Sequence, residues 1–196
     1  MVKHLYYLRH GQTIFNLEGV WQGRADSPLS TLGERQARAA GEHLRGMGVA
    51  FDHVFRSPLG RVAQTLEVAD PSLAARAMAV DDLIEMSFGT LDGTPIEGDP
   101  RDYAMDFFAT IGGERPEDVT ARTCAALEEL MMRPECNNVL VVGHGTTARL
   151  FCGAWATNAR VELAGPLPNC ALLAFAFDGA TREFCLEDIW APGIDG

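Results

Sequence analysis

The sequence predicts a three-layer α/β fold built on a mostly parallel central sheet. Three observations carry that expectation. Apolar strand-like runs alternate with segments of helical spacing along most of the chain. The run Val139-Leu140-Val141-Val142 is wholly apolar and rich in β-branched residues, as strands covered on both faces are. At 196 residues and 47% hydrophobic content, the chain can fill one core of this kind without a second domain.

The elements follow in order. A first strand runs through His4-Leu5-Tyr6-Tyr7 and ends on Leu8-Arg9-His10-Gly11. Gly11 frees the backbone to turn sharply, and Gln12-Thr13 opens a helical segment with apolar positions at Ile14 and Leu17. Ser30-Thr31 can cap a helix reaching Met47, with Leu32, Ala37, Ala40, Leu44 and Met47 on one face. His53-Val54-Phe55-Arg56 is a second strand. Ser57-Pro58 then reads as a capping residue and a first-turn proline, opening a helix that buries Leu59, Val62, Leu66 and Ala69. Residues 77–80 form a weaker strand. The Gly- and Pro-bearing stretch 89–100 is a long loop, of the kind that is functional or mobile. A short helix is expected over 102–111 and a longer one over 117–132, with Val119, Thr123, Ala126, Leu127 and Leu130 inward. The apolar strand ends at Gly143-His144-Gly145, and a helix follows over 146–155. Residues 170–177 and 182–186 close the chain as an antiparallel pair around Asp178-Gly179.

Charge narrows the function classes. Sixteen Lys and Arg against 27 Asp and Glu leave a formal charge of −11, which repels nucleic acid and anionic membranes. Any anion site must therefore be a local cluster of cations that outweighs its surroundings. Cys124, Cys136, Cys152, Cys170 and Cys185 are odd in number and form no C-x-x-C pair, so they read as reduced thiols. The N-terminal apolar run is too short for a signal-peptide core or a membrane span, and the expected location is cytoplasmic.

Open α/β sheets bind ligands at the carboxyl ends of their strands. Arg9-His10, Arg56 with nearby Arg61, and His144 all fall at such ends. A helix start adds unpaired amides, which favour an anion. Phosphoryl transfer to a protein nucleophile needs an unprotonated attacking atom, cations around the phosphoryl oxygens and an acid for the leaving oxygen. His10 can attack as neutral imidazole. Arg9, Arg61 and His144 can hold the oxygens, with Asn16, Gln22, Gly23 and Gly145 beside them. Glu85, just beyond the weak strand and before Phe88-Gly89, is the candidate acid. His4, His43 and His53 read as structural. The chain has no cysteine with Arg six positions later, no G-x-x-x-x-G-K-[ST], no G-x-S-x-G and no H-E-x-x-H, and neither a metal nor a cofactor is expected.

These residues resemble the histidine phosphatase superfamily, the phosphoglycerate mutase-like proteins. The resemblance rests on Leu8-Arg9-His10-Gly11-Gln12-Thr13 with Asn16, then on Gln22-Gly23, Asp26-x-Pro28-Leu29-Ser30-x-x-Gly33 and Gln36-Ala37. It continues through Ser57-Pro58-Leu59-x-Arg61 with Gln64-Thr65, Leu83-x-Glu85-x-x-Phe88-Gly89 with Gly93, and Val142-Gly143-His144-Gly145. It implies one histidine phosphatase domain over 1–196 with a phosphoglycerate mutase-like fold and a substrate lid at 86–113. It also implies His10 as the phosphorylated nucleophile, Arg9, Arg61 and His144 as the phosphate pocket, Asn16 and Gln22 as supporting contacts, and Glu85 as proton donor. Phe15 stands where Trp is common in the family and Val62 where Ala is. Gly113-Glu114-Arg115 replaces the frequent Gly-Glu-Ser.

The lid sequence carries Asp92, Glu97, Asp99, Asp102 and Asp106 against Arg101 alone. A mutase must grip a small, doubly charged acid in a closed, basic pocket. The acidic lid therefore favours a phosphatase acting on a small, not heavily anionic phosphorylated metabolite. A phosphoglycerate mutase-type transfer comes second, and a non-catalytic phospho-ligand binding module third. The physiological substrate is left open, as is oligomeric state, with a homodimer among the options.

Overall fold

The structure is a computed structural model that describes residues 2–194. The first half holds β1 (Val2–Arg9), α1 (Ile14–Glu18), α2 (Thr31–Gly46), β2 (His53–Arg56), α3 (Gly60–Ala69), α4 (Pro71–Ala74) and β3 (Met78–Ala79). The second holds α5 (Phe107–Thr110), α6 (Pro116–Met132), β4 (Asn138–Gly143), α7 (Gly145–Ala154), β5 (Leu172–Asp178) and β6 (Glu183–Trp190). The strands form one six-stranded sheet in the order β3-β2-β4-β1-β5-β6. β1 to β4 run parallel, while β5 and β6 are antiparallel and make one edge.

The three layers follow from the pleat, which sends successive side chains to opposite faces. Leu5 and Tyr7 of β1, with Val139 and Val141 of β4, pack against Leu127 and Leu130 of α6 and Phe151 of α7. Leu8, Leu140 and Val142 face the other way, onto Ala37, Ala40 and Leu44 of α2 and Val62 and Leu66 of α3. Burying one such aliphatic side chain contributes about 1.5–3 kcal/mol. The uniformly apolar β4 is thus the strand that both helical layers cover.

Register then sets up the site. Arg9 pairs with Gly143 across β1 and β4, and Arg56 pairs with Val142 across β2 and β4. The residues leaving these strands, His10, Ser57 and His144, therefore emerge side by side. His10 N donates to the Gly143 carbonyl at 3.0 Å, and Ser57 N to that of Val142 at 3.0 Å.

Two local expectations are corrected. Ser57 does not cap α3, which begins at Gly60. Asp26 takes that role from a distant loop, its carboxylate accepting from Gly60 N at 2.5 Å and Arg61 N at 3.3 Å. The helix expected over 102–111 is reduced to the single turn α5, because a 3-10 turn at Pro100–Asp102 interrupts the run. Its apolar residues serve a separate small core instead, in which Trp21 meets Phe88, Tyr103 and Phe108 edge-on at ring-centroid distances of 5.1, 5.4 and 5.3 Å.

Candidate active site

His10 and His144 are buried neighbours, with ring centroids 5.5 Å apart and planes inclined at 64°. The Nδ1 of His10 lies 2.8 Å from the Gly11 carbonyl. A carbonyl only accepts, so Nδ1 carries the ring's proton and Nε2 its lone pair. The Nε2 of His144 lies 2.6 Å from Ser57 Oγ. Burial foremost, and then the charges of Arg61 and Arg9, hold His10 well below the ordinary imidazole range. Burial and Arg61 do the same to His144. Both rings are neutral at neutral pH.

Arg61 is 1% exposed, far from the solvated first-turn residue its position on α3 suggests. Its Nη1 donates to the Ala25 carbonyl at 2.8 Å and Asp26 Oδ1 at 3.1 Å, and its Nη2 to the Gly23 carbonyl at 2.8 Å. Arg9 is anchored through Nη1 to the Leu167 carbonyl. The anchored arginines each keep a spare donor. Arg9 Nε, Arg61 Nε and His144 Nδ1 are all buried without a hydrogen-bond partner. Buried polar atoms are rarely left so, because each costs about 1–3 kcal/mol. Arg9 and Arg61 line one cavity, and the His144 ring lies 5.5 Å from that of His10, which lines it too, so these spare groups suit an acceptor-rich ligand.

Glu85 lies at the amino end of α7, where it does the work of a cap. Its Oε1 accepts from Met86 N at 2.9 Å, Thr147 N at 3.0 Å and Thr147 Oγ1 at 2.7 Å, whereas Oε2 accepts only from Thr146 N at 3.1 Å. Gln22 spends its Oε1 on the Thr13 hydroxyl at 2.8 Å, and Asn16 spends its Oδ1 on the Thr13 amide at 3.2 Å, which orients both side-chain NH2 groups. A Cβ at Gly145 would stand 3.0 Å from Arg9 Nε, so a side chain there would push that guanidinium by a few tenths of an ångström. Arg9, His10, Asn16, Gln22, Gly23, Arg61, Glu85 and Gly145 all line one cavity of about 690 Å³, and the His144 ring, not itself part of the wall, lies 5.5 Å from that of His10. Arg56 does not join them. Its Nη1 turns to the Ser57 carbonyl at 2.9 Å.

The carboxylates of the lid stay out of the cavity, contrary to the expectation from its acidic sequence. Asp92, Glu97, Asp99, Asp102 and Asp106 line none of the cavity, whose one acid is Glu85. Asp92 faces back into its own loop, accepting from Phe88 N at 2.9 Å and Ser87 Oγ at 3.0 Å, and Asp99 pairs with Arg101. Apolar side chains, among them Val20, Trp21, Phe88, Ile96, Met105 and Leu150, form much of the wall, with Arg101 and Arg149 also lining it. Charge counted along a loop says nothing about which way each carboxylate points. Glu114, from the altered Gly-Glu-Arg stretch, fastens the loop by accepting from Ser87 N at 2.9 Å, and it pairs with Arg122 and Arg24, each at 3.0 Å. Read from sequence alone, Ser57 has no role beyond capping, and Asp26 and Thr147 have none. The Asp26-x-Pro28 motif was the available signal for Asp26.

Among the described residues, His53, Glu135 and Cys136 form a group whose potential ligand atoms lie within 4.8 Å of one another. It sits at the amino ends of β2 and β4, across the sheet from His10 and His144.

Fold and site together define a class, α/β proteins with a pocket of histidine and arginine at the carboxyl edge of the sheet. The model of the histidine phosphatase superfamily (branch 1) matches residues 5–186, and the chain belongs to that family. It is 33% identical over 138 residues to "Uncharacterized phosphatase PhoE" of Bacillus subtilis, covering 70% of this chain and 69% of the relative. Over 150 residues it is 31% identical to "Probable phosphoglycerate mutase GpmB" of Yersinia enterocolitica, covering 72% and 69%. Among solved structures, a mycobacterial glucosyl-3-phosphoglycerate phosphatase superposes with a TM-score of 0.77 at 25% identity, covering 97% of this chain and 99% of that one. Phosphoglycerate mutase from Bacillus anthracis superposes at 0.80 with 22% identity, covering 95% and 92%, which establishes the phosphoglycerate mutase-like fold. Among the described residues no helix is long and apolar enough to cross a membrane.

Proposed function

We propose that the protein is a metal-independent phosphomonoester hydrolase working through a phosphohistidine at His10. The observation that carries this reading is the lone pair on His10 Nε2 in a residue that lines one cavity with Arg9 and Arg61, whose buried Nε atoms have no partner among the described residues. Nε2 attacks phosphorus, and the N–P bond forms as the bond to the alcohol oxygen breaks. Arg9, Arg61 and His144 hold the equatorial oxygens, supported by Asn16, Gln22, Gly23 and Gly145 around the pocket. Glu85 delivers a proton from Oε2, the less engaged oxygen, to the departing alkoxide. It then takes a proton from the water that attacks phosphorus, and the N–P electron pair returns to Nε2.

The largely apolar wall suits a small, not heavily anionic phosphorylated metabolite, and residues 86–113 act as its lid. A chain with no disulfide among its cysteines fits the reducing cytoplasm. Rapid quench with phosphorus-labelled nitrophenyl phosphate, in chelator, should trap an acid-labile, base-stable phosphoenzyme and then release phosphate. Labelling of His10→Ala would refute the nucleophile, and a requirement for an added metal would refute metal independence. Transfer to a second alcohol without net phosphate release would make the protein a mutase.

A further inference from the structure

We propose that Ser57 is a positioning residue, whose hydroxyl donates to His144 Nε2 and so fixes that ring as a neutral Nδ1–H donor to the phosphoryl group. The inference rests on the phosphate-pocket reading above and adds a residue and a proton position to it.

Ser57 is fully buried, so its hydroxyl proton must find an acceptor inside the protein. Ser57 Oγ has two partners among the described residues. One is Leu59 N–H, a donor, at a long 3.4 Å, which cannot receive the proton. The other is His144 Nε2 at 2.6 Å. The hydroxyl therefore donates to Nε2. A neutral imidazole has one N–H, and Nε2 is accepting, so the proton resides on Nδ1. That atom is buried without a partner among the described residues, as are Arg9 Nε and Arg61 Nε, in a ring 5.5 Å from that of His10, which lines the cavity. With the opposite tautomer a lone pair would take its place, and an anion would be repelled.

The backbone holds the relay in place. Ser57 leaves β2 one residue beyond the Arg56–Val142 register pair, and His144 leaves β4 one residue beyond Gly143. His144 N is held in turn by Tyr7 Oη at 3.0 Å. This also explains why Ser57 leaves the cap of α3 to Asp26, since its hydroxyl is committed across the sheet.

The test reads the proton directly. Nitrogen-15 NMR of the ring nitrogens distinguishes the two neutral tautomers, and with five histidines in the chain His144 is assigned by loss of its signals in His144→Asn. The wild-type ring should be the Nδ1–H tautomer at neutral pH. Ser57→Ala should shift it toward Nε2–H and weaken binding of inorganic phosphate about ten- to hundredfold, the worth of a hydrogen bond to a charged group. Ser57→Thr, which keeps the hydroxyl, should restore both. An Nε2–H ring in the wild type overturns the proposal, as does Ser57→Ala with unchanged tautomer and phosphate affinity. None of these readouts needs turnover. A protein that passes them yet forms no phosphoenzyme refutes the hydrolase reading and leaves this one standing.

Discussion

Replacing Glu85 with Gln removes the transferable proton while nearly preserving shape, but the structure shows that the change is not silent. The amide oxygen must take the Oε1 position, because three donors converge there from Met86 N, Thr147 N and Thr147 Oγ1. The amide NH2 then meets Thr146 N–H at the Oε2 position, where the carboxylate accepts at 3.1 Å. One hydrogen bond becomes a donor-to-donor contact at a buried helix end, worth about 1–3 kcal/mol of stability. Glu85→Gln should therefore lower the urea midpoint measurably, and kinetics must be read on protein shown to be folded. The chemical effect separates from this by its dependence on the leaving group. An alkyl phosphate departs as a strongly basic alkoxide that needs the proton, so phosphoenzyme formation should slow by roughly 10²- to 10⁴-fold. Nitrophenolate is a stable anion and needs little help, so its burst should slow far less. First-turnover burst rates on both substrates keep the later water-attack step out of the comparison. Equal losses on the two would mean that Glu85 only positions α7. No loss on either would return it to a purely structural cap.

Arg61→Ala should lower kcat/KM on any phosphomonoester by about a hundredfold, or ~3 kcal/mol, because it deletes the charge and a buried unpartnered Nε together. A loss under about fivefold, measured on folded protein, would contradict the pocket assignment. Stability should also fall with acid in a defined window. The folded-state values of His10 and His144 lie well below the ordinary 6.5, so below about pH 6.5 the unfolded chain binds protons that the folded chain does not. Stability due to the neutral rings is therefore present above that pH and lost as pH falls, at up to about 1.4 kcal/mol per pH unit for each ring. His10→Asn and His144→Asn should each flatten the slope of unfolding free energy against pH in that window, and unchanged slopes in both would defeat the argument.

What could be read in advance, and what could not, divides along a physical line. His10 and His144 were legible because a parallel sheet makes neighbours of its strand ends. Once β1 and β4 are recognised as strands, the Arg9–Gly143 register leaves their following residues nowhere else to go. Arg61 was legible as an anomaly, since a cation in the first turn of a helix opposes the dipole unless an anion is expected there. Ser57 was misread because Ser-Pro before a helix is also the signature of a cap. The contest for the α3 amides was settled by Asp26, 34 residues away from Gly60, which no local pattern reports. The lid was legible as a loop but not in its sidedness. Asp92 turns to its own loop's backbone and Asp99 to Arg101, while Tyr103 and Phe108 turn onto Trp21.

That sidedness resolves the conflict between an anion site and a chain of formal charge −11. The surface charge sets the long-range field, which water and salt screen within about 10 Å. The pocket is governed instead by contacts inside that distance, where Arg61 and the Nε of Arg9 are buried and the lid's carboxylates are absent from the wall. Burying two guanidinium groups costs several kcal/mol unless their charge is met. Asp26 meets part of the Arg61 charge at 3.1 Å, and the carbonyls of Ala25, Gly23 and Leu167 satisfy further donors. The remaining Nε atoms are left without acceptors. The fold thus holds a specific electrostatic deficit at one spot, and keeping both histidines neutral stops that deficit from growing until the pocket could no longer be closed. On the proposed reading, an arriving phosphoryl group supplies the missing oxygens and charge, and its binding draws on desolvation that the protein has already borne rather than on attraction of anions by the chain as a whole.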